Sequence, residues 1–316
     1  SEGQTCQSYC TFCFRWAQFT GDVNLKFAVR EMKRFLNYIR NHKEITNVLI
    51  TGGDPMVMKA DRIAKYITPL LEPEFDHVKV IRIGTKSLTY WPARFVSDPD
   101  SEDLLNLFSE VARHGKHLSV MAHFNHYQEM ETGALREAVL NIRKTGASVR
   151  TQSPLLRHIN DNAVIWEKMW KMQVSLGCIP YYMFVERDTG AHEYFAVPLA
   201  KAVNIFREAF TRVSGLARTV RGPSMSATPG KILIEGVTTI AGEKVFILNM
   251  IQARKPEWAK KPFFARYDEN ATWINQLTPA FGEDQFFYEN ELTLMKNMPY
   301  NHFLAPSFSQ AGVQVS

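Results

Sequence analysis

Apolar positions recur at two spacings along this chain, and the two kinds of stretch alternate. Phe27, Met32, Phe35, Leu36 and Ile39 fall near a 3.6-residue period and predict a helix over 25–42. Short apolar runs of strand length follow at 46–51 (TNVLIT), 78–84 (VKVIRIG), 118–124, 148–153 and 179–185. Helical spacing occupies 59–71, 101–114, 131–144, 161–176 and 198–212 between and after them. Ser101 is placed to cap its helix ahead of acids in the first turn, Gly146 closes 131–144, and Pro198 opens the last helix. Strands that alternate with helices across short connections predict a parallel sheet with crossover helices. Past Gly215 the spacing changes. Segments 231–240 and 243–251 predict a hairpin across Ala241-Gly242, and a polar tail rich in aromatics (Trp258, Phe263, Phe264, Tyr267, Trp273, Phe281, Phe286, Phe287, Tyr288) follows. This tail is expected to wrap the sheet, or to join a homo-oligomer by packing onto a partner subunit.

Composition narrows the class. The 316 residues are 45% hydrophobic and 22% charged, which suits a globular chain with a sizeable core. The formal net charge of +5 is small for this length, and no Lys/Arg block is dense enough for a nucleic-acid groove. The basic stretch 255–261 reads as solvated surface. No apolar run reaches membrane-spanning length and no signal peptide is visible, so neither a membrane nor a nucleic acid is expected as a partner. The four cysteines are too few for a disulfide framework and fit a reducing cytoplasm. Cys178, before Ile179-Pro180, is expected to be a buried core thiol.

The other three, Cys6, Cys10 and Cys13, lie within eight residues as C-x3-C-x2-C. Thiolates this close converge on one centre, and soft sulfur ligands favour Zn, Cu(I) or iron–sulfur clusters. A closed Zn site or a fully ligated 4Fe–4S cluster takes four ligands; three leave one iron open. With Phe12 directly before the last cysteine, the spacing resembles the signature of the radical S-adenosylmethionine (SAM) enzymes. That resemblance implies a 4Fe–4S cluster, SAM on its open iron, a flavodoxin- or ferredoxin-type electron donor and a partial (β/α)6 barrel. It places working residues at the C-terminal ends of the strands. It also puts a strand before the cysteine loop. Only Ser1 to Thr5 precede Cys6 here, so the expectation is that this strand lies upstream of the sequence. The fold expected is α/β: a partial barrel over 1–213, then a hairpin and wrapping extension over 214–316.

Gly52-Gly53-Asp54-Pro55 follows the first predicted strand. Glycines let backbone approach a ligand, and an acid there accepts from an ammonium; alone, the same residues make an ordinary strand-to-helix turn. After the cysteine motif the run resembles the element that holds the SAM amino group, with Asp54 where most of the superfamily has Glu. A narrower resemblance joins GGDP at 52–55, RIGTKS at 82–87, HFNH at 123–126, QSPLLRHIND at 152–161 and PYYMFVERDTGAHEYF at 180–195. In that order they look like the lysine 2,3-aminomutase family, which uses radical SAM chemistry with pyridoxal phosphate (PLP). The resemblance assigns Arg15 to the substrate carboxylate, where a planar fork suits bidentate contact. It assigns His123, Gln152 and Tyr182 to the SAM and cofactor cavity, Asp188 to the distal amine of the substrate, and Lys231 to PLP.

Two departures bear on the reaction. The family's glycine-rich run before the PLP lysine is shortened here to Ala227-Thr228-Pro229-Gly230-Lys231. The second acid that grips lysine's distal amine has Ser226 or Ala227 in its place, which argues against lysine as substrate. The leading expectation is a PLP-dependent amino-acid 2,3-aminomutase-like isomerase acting on a free amino acid, with Lys231 in the catalytic role. Beside it stand a PLP-free radical SAM enzyme on the same barrel and, more distantly, a non-catalytic Zn-binding protein.

Overall fold

Parallel strands need crossovers of a dozen residues or more, and the stretches with helical spacing supply them. The computed structural model describes residues 6–15, 32–188 and 190–297. In it β1 (Asn47–Ile50), β2 (Val80–Thr85), β3 (His117–His123), β4 (Ser148–Leu155), β5 (Ile179–Val185) and β6 (Arg221–Ala227) lie side by side in chain order, each parallel to the next. Helix α1 (Met32–Asn41) precedes them, and α2 (Ala60–Ile67) joins β1 to β2. The single turn α3 (Ser87–Tyr90) then leads to α4 (Ser101–Arg113), which enters β3, while α5 (Gly133–Lys144) and α6 (Ala163–Ser175) make the next two crossovers. After β5, the short α7 (His192–Phe195) and the longer α8 (Leu199–Thr211) carry the chain to β6. Strictly sequential strand order is the arrangement of a barrel segment. The segment stays open: β7 (Gly230–Ile240), β8 (Glu243–Ala253) and β9 (Pro262–Arg266) extend its far edge antiparallel. This is the partial α/β barrel with hairpin extension that the family resemblance implies. The strand expected ahead of Cys6, and most of the predicted helix before Met32, lie outside the described residues.

Two differences from the sequence reading have clear causes. Strand β6 is absent from the periodicity because RGPSMSA carries Gly, Pro and two serines and shows no alternation. Pairing to β5 and β7 makes it a strand. The cap of α4 falls on Asp100, not Ser101, and the Asp100 carboxylate serves a neighbour instead of its own helix. Its oxygens take the Ala60 amide at 2.6 Å and both terminal nitrogens of Arg94 at 2.8 and 3.1 Å. Arg94, 1% exposed, also donates to the carbonyls of Met56 at 2.9 Å and Met58 at 3.1 Å. One buried guanidinium thus holds the loop that leaves β1 against the start of α4.

The sheet's two faces differ. On β2 the residues Ile81, Ile83 and Thr85 are buried while Val80, Arg82 and Gly84 are not; β4 repeats this with Val149, Thr151, Ser153 and Leu155 against Ser148, Arg150, Gln152 and Pro154. The apolar face meets the helices in the main core, which holds Ile63, Phe108, Val139, Trp166 and Trp170. The more polar face looks into the concavity. The aromatic tail folds back on its own chain: Trp258, Phe263, Trp273, Phe286 and Tyr288 cluster with Met225, Ile234, Phe246 and Leu248, reaching Leu199 and Val203 of α8. Helix α9 (Glu289–Asn297) closes that second core through Leu292. Removing the buried guanidinium takes a donor from the Met56 and Met58 carbonyls and leaves the Asp100 carboxylate with the Ala60 amide but without its counter-charge. Arg94→Ala is therefore expected to cost about 3 kcal/mol or more in urea unfolding; a loss of only a few tenths would remove this staple from the account.

Candidate active site at the C-terminal mouth of the sheet

The loops that leave the C-terminal ends of the parallel strands share one rim. At the end of β1, Asp54 is 2% exposed and turned into the protein. Its Oδ1 accepts from the Met56 amide at 3.0 Å and the Thr85 hydroxyl at 2.6 Å. Its Oδ2 accepts from the Lys86 amide at 2.8 Å and the Tyr90 hydroxyl at 3.2 Å. Four donors occupy the four lone-pair directions of a carboxylate. The acid predicted to take an ammonium instead ties the end of β1 to the end of β2. Burial, and after it the Asp54 charge, holds the Tyr90 phenol above its usual range.

Beyond β2, the Lys86 ammonium bridges Asn125 Oδ1 at 2.9 Å and Glu129 Oε1 at 2.8 Å. Glu129 also accepts from the Asn125 amide at 2.6 Å. Asn125 is buried, and its side-chain Nδ2 has no hydrogen-bond partner among the described residues. An orphaned buried donor on this rim is a place where a bound ligand supplies the missing acceptor. His123, at the end of β3, has its pKa pushed down to about 3 by burial and by the Lys86 charge, so its imidazole is neutral near pH 7.

Three of the sequence-predicted cavity residues occupy one level of the sheet. His123 pairs in register with Gln152, Gln152 with Tyr182, and Tyr182 with Arg221. Arg221 donates to the Tyr182 hydroxyl at 3.2 Å and lies 5.0 Å from that ring's centre. Lys231 reaches the same ring from the other side of the register, with Nζ 4.2 Å from its centre. The shortened Pro-Gly-Lys turn therefore delivers the amine to the concave face. Gly230 makes this possible, because a Cβ there would run into the Gln252 carbonyl across the hairpin. Burial, then the charges of Arg221 and Arg82, lower the Lys231 pKa to about 8. Tyr182 is pushed up to about 12, mainly by burial.

The cysteine loop reaches this rim through an aromatic contact: Phe12 meets Phe195 of α7 edge-on, centroids 5.8 Å apart at 84°. The Ser8 hydroxyl lies 2.9 Å from the Cys10 sulfur, the Cys13 amide donates to the Cys10 carbonyl at 3.0 Å, and Arg15 donates to the Gly52 carbonyl. Burial raises the Cys6 and Cys13 thiols, against the amides of Ser8 and Tyr9 on the first and of Arg15 on the second. Cys6 also feels the charge of Cys10, and Cys13 that of Cys10 and Cys6, so the three share one locality. Among the described residues no three His, Cys, Asp or Glu side chains are drawn tightly enough to hold a single metal ion. The donor set fits a cluster: three soft ligands with amide donors directed at their sulfurs, one thiolate per iron. Cys178 is no fourth ligand; burial takes its thiol up to about 12 inside the core.

A hollow of about 410 Å³ opens beside Lys231, between the β6–β7 turn, the Gln252–Arg254 end of β8 and the loop after β5. Arg187, rather than the predicted Asp188, is on its wall. Arg187 leans over Phe14, 5.5 Å from the ring centre, and Arg15 lies against the same ring at 5.2 Å. The sequence reading missed Tyr90, Arg221 and Arg187. It had one usable signal for Arg82, a charge at an alternating position of a strand, which marks a polar lumen.

No protein-family model matches the chain. Among curated proteins it is 36% identical over 278 residues to an Aquifex aeolicus protein provisionally named L-lysine 2,3-aminomutase, covering 88% of this chain and 71% of that one. It is 30% identical over 233 residues to L-lysine 2,3-aminomutase of Escherichia coli and 28% identical over 210 residues to that of Clostridium subterminale. Those matches cover 71% and 66% of this chain but 63% and 47% of the relatives, so the chain spans about half to two thirds of their length. A solved radical SAM methyltransferase from Sphaerobacter thermophilus aligns over 60% of the chain and 56% of its own, with a TM-score of 0.42 and 17% identity, too slight a likeness to bear on the reaction. The extent of the first match, together with the ordered motifs at the strand ends, makes this chain a member of the lysine 2,3-aminomutase family of radical SAM proteins.

Proposed function

We propose that this radical SAM protein is a PLP-dependent enzyme that moves an amino group between neighbouring carbons of a free amino acid. The observation that carries the reading is Lys231: an amine of lowered pKa, over the Tyr182 ring, on the concave face that the strand-end residues share. When bound, the 4Fe–4S cluster and SAM supply a 5′-deoxyadenosyl radical that removes hydrogen from an unactivated carbon, and PLP supplies a carrier for the migrating nitrogen.

The chain's own groups support that chemistry. Cys6, Cys10 and Cys13 would hold the cluster. With Asp54 satisfied internally and the Gly52 carbonyl accepting from Arg15, the backbone of the Gly52-Gly53 turn, rather than the Asp54 side chain, would approach SAM. Neutral His123, Gln152 and the unpaired Asn125 amide line the rim between that loop and Lys231. Lys231 would hold PLP, with Tyr182 beside the ring and the Arg221 and Arg82 cations positioned to receive its phosphate. Arg15 offers a fork for the substrate carboxylate. An external flavodoxin- or ferredoxin-type donor would deliver the electron.

Two outcomes check this reading. Anaerobically reconstituted protein should be brown, with broad absorbance near ~400 nm, and Cys10→Ala should lose both the colour and 5′-deoxyadenosine formation; a colourless, Zn-only wild type would sink the enzyme reading. Because burial and neighbouring cations favour the neutral amine, Lys231 should react with an amine-acylating reagent with a midpoint near pH 8, not near the ordinary 10.5. Peptide mass spectrometry at a series of pH values reads this directly. Borohydride treatment of the PLP-loaded protein should then fix the cofactor on Lys231, and PLP found elsewhere or nowhere would favour the PLP-free alternative.

A further inference from the structure

The short helix α7 is tied to three other parts of the chain, and two of the ties run through His192. Glu186, at the end of β5, is 4% exposed, and its Oε2 lies 2.7 Å from His192 Nδ1. The same nitrogen is 3.2 Å from the Arg187 carbonyl. A carbonyl only accepts, so Nδ1 carries a proton and donates. Across the ring, Nε2 lies 3.2 Å from the hydroxyl of Thr272, in the C-terminal extension. Gln276 Oε1 holds Thr272 in turn, taking its amide at 2.7 Å and lying 3.2 Å from its hydroxyl. That hydroxyl suits either form of the imidazole. It donates to a neutral Nε2, or accepts from a protonated one and gives its own hydrogen to Gln276. The third tie starts at the other end of the same helical turn. Phe195 is buried, its carbonyl accepts from the Arg157 amide at 2.8 Å, and its ring meets Phe12 of the cysteine loop edge-on at 5.8 Å.

Burial raises the Glu186 carboxyl, and the bond from His192 works against that rise. Taking the imidazole away removes this donor from a buried carboxylate, and the loop has to move to hydrate it. Movement there carries the Arg187 carbonyl and α7 with it, and Phe12 directly precedes Cys13. We propose that His192 is a positioning residue: clasping Glu186 and the Arg187 carbonyl on one side and Thr272 on the other, it sets α7 so that Phe195 backs Phe12, and it couples the C-terminal extension to the cysteine loop. The proposal rests on the cluster reading above. The coupling runs through contiguous contacts, from Gln276 and Thr272 through His192 and Phe195 to Phe12.

The test reads the cluster itself in reconstituted full-length protein. His192→Ala is expected to change the electron paramagnetic resonance signal of the reduced cluster and its response to SAM. It should also speed iron loss to a chelator roughly tenfold and raise the KM for SAM more than it lowers kcat. Phe195→Leu, which keeps bulk but not the ring, should give the same spectral change with the clasp intact. His192→Asn puts an amide nitrogen where Nδ1 stands and should recover most of the wild-type signal. Thr272→Val cuts the extension side alone and should shift the signal in the same direction by less. Thermal melts report folding; if His192→Ala unfolds, Phe195→Leu and Thr272→Val carry the test. A folded His192→Ala protein with wild-type signal, SAM response and iron-loss rate would overturn the proposal. So would a Phe195→Leu protein indistinguishable from wild type, or an Asn variant no better than Ala. Failure of the cluster reading is read separately, as a wild type that binds no iron. The clasp is then read from alkylation of Cys10 and Cys13, expected to quicken in His192→Ala and Phe195→Leu while buried Cys178 stays protected; unchanged rates would overturn it too.

Discussion

A carboxylate taken out of water has to be met by donors, and Asp54 is met by four of them drawn from two strand ends. That requirement shapes the rim. It fixes the loop after β1, brings the first turn of α3 alongside, and sets Lys86 where it can reach Asn125 and Glu129 beyond β3. The loop's outer side is held in turn by Arg94 and Asp100, so the two glycines between are presented on a rigid base, free for a ligand to approach. The Asp54 side chain is thus the tie between the ends of β1 and β2.

The other half of the rim is rich in positive charge. Arg82 and Arg221 act on Lys231, and Arg15 and Arg187 continue the same sign beside the cysteine loop. Partial burial makes this costly for the protein alone and makes anionic ligands favourable. It also explains the lowered pKa of the Lys231 amine. Aromatic rings sit among these cations: Arg221 and Lys231 both lie against Tyr182, and Arg15 and Arg187 both lie against Phe14. Cation–π contact lets like charges crowd without direct contact.

Much of this was legible along the chain. The 3.6- and short-run patterns located the crossover helices and five of the parallel strands, because burial on one face imposes those periods whatever the partner. The cysteine spacing and the ordered strand-end motifs pointed to the cluster and the family. The family resemblance, rather than local chemistry, singled out Lys231, His123, Gln152 and Tyr182. What local pattern cannot carry is direction. Asp54 reads as an available acid until Thr85 and Tyr90, 31 and 36 residues away, are seen to consume it. Arg187, beside the predicted Asp188, is on the wall of the hollow near Lys231, and nothing local in the sequence marks it.

The sequence by itself determined the alternation of elements and the family, since each depends on patterns that run along the chain. Only the tertiary structure decided that RGPSMSA is a strand, that one glycine suffices to aim Lys231 inward, and that Arg82, Arg221 and Lys231, from three separate strands, come within reach of one another. The reason is physical: pairing, steric clearance and electrostatic fields depend on distances through space, and residues as far apart as Arg82 and Lys231 have no common neighbourhood until the sheet curves round to bring them together.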